Sequence, residues 1–163
     1  MLSHIPTWVF GVFALLLVLG IWLSRPRAVS PIAPVALAVG FPIYSLYGVV
    51  SAFEAAAATI LPWVAALLLS ALLGQRIFGP RNLARVPGTA KVQVPGSWLP
   101  LGLMMGIFLA KFVVGFVQGA DLPVGHQAWF APAVCFALGA LSGGFVSRAV
   151  TIRRFVNAAT SDA

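Results

Sequence analysis

The sequence predicts an all-α integral membrane bundle of five transmembrane helices, N-terminus outside and C-terminus in the cytoplasm. Two observations carry this. The chain of 163 residues is 61% apolar and only 8% charged, whereas soluble domains are roughly half apolar and a quarter charged. The apolar residues also fall into five stretches, at about 6–24, 31–50, 52–74, 98–118 and 128–146. Each approaches the roughly 20 residues that a helix needs to cross a 30 Å hydrocarbon core. Residues 1–163 then form a single transmembrane domain, with a loop at 75–97 and a tail at 147–163 on the cytoplasmic side.

Charge placement sets the orientation. Arg25 and Arg27 lie between the first two spans, and Arg76, Arg81, Arg85 and Lys91 between the third and fourth. Arg148, Arg153 and Arg154 follow the fifth. The alternate gaps carry Glu54, Asp121, His4 and His126 but no Lys or Arg. This is the positive-inside bias. The net charge of +7 therefore points to anionic membrane lipids and away from nucleic acid, which needs basic residues gathered into one stripe. Span one is expected to stay in the mature protein, because no basic n-region precedes it and no small-residue cleavage site follows it.

The elements follow in order. Ser30-Pro31 starts span two, with proline at the first helical position. Ser51 and Glu54 match a capping box that would start span three. Trp8, Trp22, Trp98 and Trp129 fall near the span ends, as in an aromatic belt, while Trp63 is mid-span and expected to pack between helices. Ala66, Ser70 and Gly74, then Gly102, Gly106 and Ala110, then Gly139 and Gly143 recur every four residues. Such faces let backbones approach closely in lipid. In the 75–97 loop, apolar alternation on both sides of Pro87-Gly88-Thr89 reads either as a short cytoplasmic β-hairpin or as an irregular basic loop. Ser97 is placed to cap span four. The small, polar tail after Arg154 is expected to fray.

Lys111 stands apart. It lies seven residues before Gln118, so its Cα is roughly 10 Å below the outer boundary at 1.5 Å per residue. An ionisable group at that depth costs about 2.5 kcal/mol or more unless paired or wetted. Three readings stay open: outward snorkelling, an ion pair with Glu54, or a polar cavity. Pro42 and Pro62 each leave a carbonyl, of Ala38 and Ala58, without its helical donor. A candidate intramembrane polar cluster then comprises Lys111, Glu54, Tyr44 and Tyr47, with Ser45 adding a hydroxyl toward the same side.

Other chemistry is sparse. No triad, HExxH, P-loop or GxGxxG pattern is present, and three acidic residues in all leave little for acid–base catalysis. His4 and His126 are too few for a metal site. Cys135 lies inside span five as a packed thiol, and Met104 and Met105 face different sides of one helix. No catalytic residue, metal or cofactor is expected.

The stretch Arg25-Pro26-Arg27-Ala28-Val29-Ser30-Pro31, with Val94-Pro95-Gly96-Ser97-Trp98-Leu99-Pro100-Leu101 running into Met104-Met105-Gly106-Ile107-Phe108 and Lys111, resembles an uncharacterised family of small bacterial inner-membrane proteins. The resemblance spans the whole chain. It implies an inner (plasma) membrane location in bacteria and supplies no activity. The expectation is a non-enzymatic binding or assembly component that meets lipid and a protein partner or a second copy. The alternative is a small transporter or channel with its polar site around Lys111.

Overall fold

The computed structural model describes residues 7–53, 56–78, 82–86, 89 and 91–161. Its helices are α1 (Thr7–Ser24), α2 (Ile32–Phe53), α3 (Ala57–Leu73), the single turn α4 (Gln75–Phe78), α5 (Leu99–Gly119) and α6 (Phe130–Ser161). Three strands, β1 (Arg27–Val29), β2 (Ala84–Arg85) and β3 (Val92–Val94), form an antiparallel sheet in the order β1-β3-β2. A 3-10 turn at Pro123–His126 links α5 to α6. Among the described residues three stretches are long and apolar enough to cross a membrane: Ile32–Phe53, Leu99–Gly119 and Phe130–Ala158. Two shorter apolar helical stretches, Val9–Ser24 and Ala57–Leu73, accompany them.

Small residues set the helix contacts. A Cβ at Gly139 of α6 would collide with the carbonyl of Trp63 on α3, and one at Gly143 would lie 2.7 Å from Ser70 Cβ. Ala66, one turn away on α3, is 1% exposed. The two small-residue faces therefore meet each other within one chain, backbone close to backbone, which favours dispersion contacts. Gly20 of α1 likewise seats Leu101 of α5. Val49, Trp63, Leu103, Met104, Ile107, Cys135, Leu138 and Phe145 form the central apolar cluster, and the Phe41 and Phe145 rings stack at 4.3 Å.

One polar relay crosses this core. Trp63 Nε1 donates to Ser45 Oγ at 3.0 Å, and Ser45 Oγ donates to the Leu138 carbonyl at 3.5 Å. The mid-span tryptophan is thus packed between helices, as expected, while Ser45 faces the core and leaves the polar side assigned to it from sequence. Ser45→Ala strands a buried indole N–H. The expected loss is about 1–3 kcal/mol, measurable by denaturing-detergent titration.

The sheet is larger than a hairpin. β2 and β3 pair through Ala84↔Gln93 and Arg85↔Val92, and β1 adds on the far side through Arg27↔Val94 and Val29↔Val92. Val29, Val92 and Val94 bury against Ile152, with Phe155 and Val156 beside it. This corrects the expectation of a fraying tail: α6 continues to Ser161. Ile152, Phe155 and Val156 make an i, i+3, i+4 stripe, and the sheet covers it. Arg85 Nη2 donates to the Val156 carbonyl at 3.1 Å, and Arg154 Nη1 to Gln75 Oε1 at 2.6 Å.

The capping box at Ser51 does not form. α2 runs through to Phe53, and Ser51 Oγ donates back to the Gly48 carbonyl at 3.2 Å, a bond that satisfies serine without ending the helix. Glu54 lies outside the described residues. The N-cap of α3 is Ala56, in extended conformation with no side-chain bond. Ser97 does serve the start of α5, its Oγ accepting from the Leu99 N–H at 3.2 Å.

Candidate functional site

A cleft of about 230 Å³ opens between α2 and α5, lined by Gly48, Ser51, Phe53, Lys111, Gln118 and Leu138 among others. Lys111 is its charged group. Its Nζ donates to the backbone carbonyl of Tyr44 at 2.8 Å and lies 3.5 Å from the centroid of the Tyr44 ring. One residue thus supplies both a carbonyl dipole and a π-face to the ammonium. Gly48 makes this reach available. A Cβ there would overlap Lys111 Nζ and stand 2.5 Å from its Cε. The ammonium occupies the room that any other residue at 48 would take.

The ammonium reaches across to α2. Helical side chains lean toward the N-terminus of their helix, and for Lys111 that direction leads away from the nearer helix end at Gly119. Tyr44 lies nine residues before the end of α2 and Lys111 eight before the end of α5, about 13 and 12 Å along the two helices. Near the mouth, Gln118 Nε2 donates to the Ala52 carbonyl at 2.8 Å and ties the ends of α2 and α5.

Of the residues singled out in sequence, the structure brings Lys111 and Tyr44 together. The Tyr47 side chain is 71% exposed and does not line the cleft. Glu54 follows Phe53, a lining residue, in the chain, and lies outside the described residues. Neither Ala38 nor Ala58 lines the cleft. Gly48, Ser51 and Gln118 went unassigned to the site. A glycine four residues after a tyrosine, in a helix otherwise rich in Val and Ala, was the available signal for Gly48.

Beyond α5, His126 Nε2 lies 2.9 Å from Asp121 Oδ1, both side chains exposed. The other histidine considered from sequence, His4, lies outside the described residues. Trp22, Trp98 and Trp129 are exposed by 60%, 67% and 60%, at the end of α1, the start of α5 and the start of α6.

No curated protein and no solved structure matches this chain. A family model described as a family of unknown function, DUF6622, matches residues 1–162. The chain belongs to that family.

Proposed function

We propose that this chain is a five-span membrane protein of the bacterial inner membrane, a single domain with its N-terminus outside and C-terminus in the cytoplasm. It acts as a non-enzymatic binding component, and the Lys111 cleft receives a negatively charged group of a ligand or partner. The observation that carries the binding reading is the ammonium held at a fixed point in an open cleft by Gly48 and Tyr44. No carboxylate lines that cleft among the described residues.

The membrane reading draws support from the surface. Val18, Ile43, Leu61, Leu72, Leu109 and Phe116 are more than half exposed, beyond what a soluble surface ordinarily tolerates. The topology draws support from the sheet. β1 comes from the first basic gap and β3 from the second, and both pack on Ile152 after the fifth apolar stretch. All three basic segments thus gather at one end of the bundle. The 18 residues of α1 and 17 of α3 reach about 27 and 25 Å, near the hydrocarbon thickness of about 30 Å.

The transport alternative has less support. Leu138, on the wall of the cleft, belongs to the apolar cluster with Val49, Leu103 and Ile107, so the described side chains behind the cleft are mostly apolar. Proteoliposome flux is expected to be the same for wild type and Lys111→Met. The direct test is native mass spectrometry of protein extracted gently from its membrane. Wild type is expected to carry a stoichiometric ligand or partner that Lys111→Met loses at least about tenfold, the equivalent of one charged contact. Identical spectra of a bare chain for both would refute the binding reading.

A further inference from the structure

A second cavity, of about 50 Å³, lies at the opposite end of the bundle, where α1, β1, β3 and the starts of α2 and α5 meet α6. Among the described residues three arginines line it, Arg25, Arg27 and Arg148, and no acidic residue does. The strand pairing Arg27↔Val94 fixes the Arg27 backbone. Its guanidinium carbon Cζ lies over the Trp22 ring, 4.3 Å from the centroid. Held so, Arg27 Nη1 is buried and has no hydrogen-bond partner among the described residues. Burial also lowers the Arg27 pKa from its ordinary value.

A buried donor with no acceptor is costly, and more so on a cation. The described residues offer it little. The chain's three acidic residues are Glu54, Asp121 and Asp162, and Asp121 is engaged by His126 beyond α5. A water takes about 10–15 Å³ of comparable cavity volume, so the space suits a handful of waters or one compact oxyanion. Guanidinium groups bind phosphate oxygens through paired N–H donors. Arg148 lies 18 residues after Phe130, about 27 Å along α6, which in a membrane is the level of the headgroups of the basic-side leaflet.

We infer that this cavity is a phosphate-oxyanion site, with Arg27 and Arg148 as its inner donors and exposed Arg25 at its rim. The phosphate belongs either to an anionic lipid or to a free anion. The lipid source rests on the membrane reading above. The oxyanion does not.

The test uses the full chain in neutral detergent, followed by thermal unfolding. One arm adds inorganic phosphate against chloride at equal ionic strength. The other adds phosphatidylglycerol against phosphatidylcholine. A rise of about 5 °C at saturation is expected in at least one arm. A response to phosphate alone identifies a free-anion site that stands even if the membrane reading fails. A response only to phosphatidylglycerol identifies a headgroup site. Arg27→Gln and Arg148→Gln are each expected to weaken the response at least tenfold, while Arg153→Gln, on an exposed side chain outside the cavity, leaves it intact. Should Arg27→Gln fail to fold, Arg25→Gln supplies the comparison, with a smaller weakening expected. No rise in either arm, or equal weakening by Arg153→Gln, overturns the proposal.

Discussion

Gly139→Leu is expected to separate α3 from α6 and cost about 3 kcal/mol or more. The first added atom already has nowhere to go. A Cβ at 139 would fall on the Trp63 carbonyl and stand 2.9 Å from its carbonyl carbon. Backbone of a packed helix does not swing aside as a side-chain tip does. The helices must move apart, and the bond from Trp63 Nε1 to Ser45 Oγ, 3.0 Å long, opens with them. Gly143→Leu should behave alike, because its Cβ would sit 2.5 Å from the Leu67 carbonyl oxygen. Gly102→Ala provides the contrast. Nothing lies within 4 Å of a Cβ there, and the expected change is within about 0.5 kcal/mol. Denaturing-detergent titration of the three variants separates these outcomes.

Gly48→Ala is expected to destabilise by about 2 kcal/mol, through Lys111 rather than through α2 itself. Alanine is the better helix former by up to about 1 kcal/mol, so local propensity predicts the opposite sign. The methyl would take the place of the ammonium, which then loses both the Tyr44 carbonyl and the Tyr44 ring. On the five-span reading proposed above, a lysine left without these partners costs about 2.5–3.5 kcal/mol. Lys111→Met alone should change stability by under about 1.5 kcal/mol, as the lost charge-assisted bond is offset by relieved desolvation. The double variant should match Lys111→Met, since the methyl then displaces no charge. That strong non-additivity is the signature of direct contact, and four unfolding titrations measure it. Additive effects would mean that Gly48 and Lys111 act separately.

Much of the helical frame was legible because helix signals are local. Apolar runs, mid-helix Trp63 and the four-residue spacing of Gly139 and Gly143 each state their role within a few residues. The sheet was only half legible. Alternation around Pro87-Gly88 marks β2 and β3, but Arg27-Ala28-Val29 is too short to show a period, and its partner Val94 is far along the chain. The continuation of α6 was hidden for the same reason. Ile152, Phe155 and Val156 form a sparse stripe among polar residues until a sheet exists to cover it. Ser51 misled because one hydroxyl serves a cap or a back-bond equally well, and only the path of the chain chooses. At the cleft, the depth and rarity of Lys111 marked it. Its anchor was hidden, because a backbone carbonyl and a missing Cβ have no side-chain signature.

The topology is open to one direct measurement, side-selective labelling of single cysteines. In a Cys135→Ala background, Gln93→Cys places a thiol at the exposed position of β3 and Asp121→Cys places one just beyond α5. Both are treated with a membrane-impermeant maleimide in right-side-out vesicles. Asp121→Cys is expected to label at once and Gln93→Cys only after the membrane is permeabilised. Equal labelling of both without permeabilisation, or the reverse order, would overturn the proposed topology.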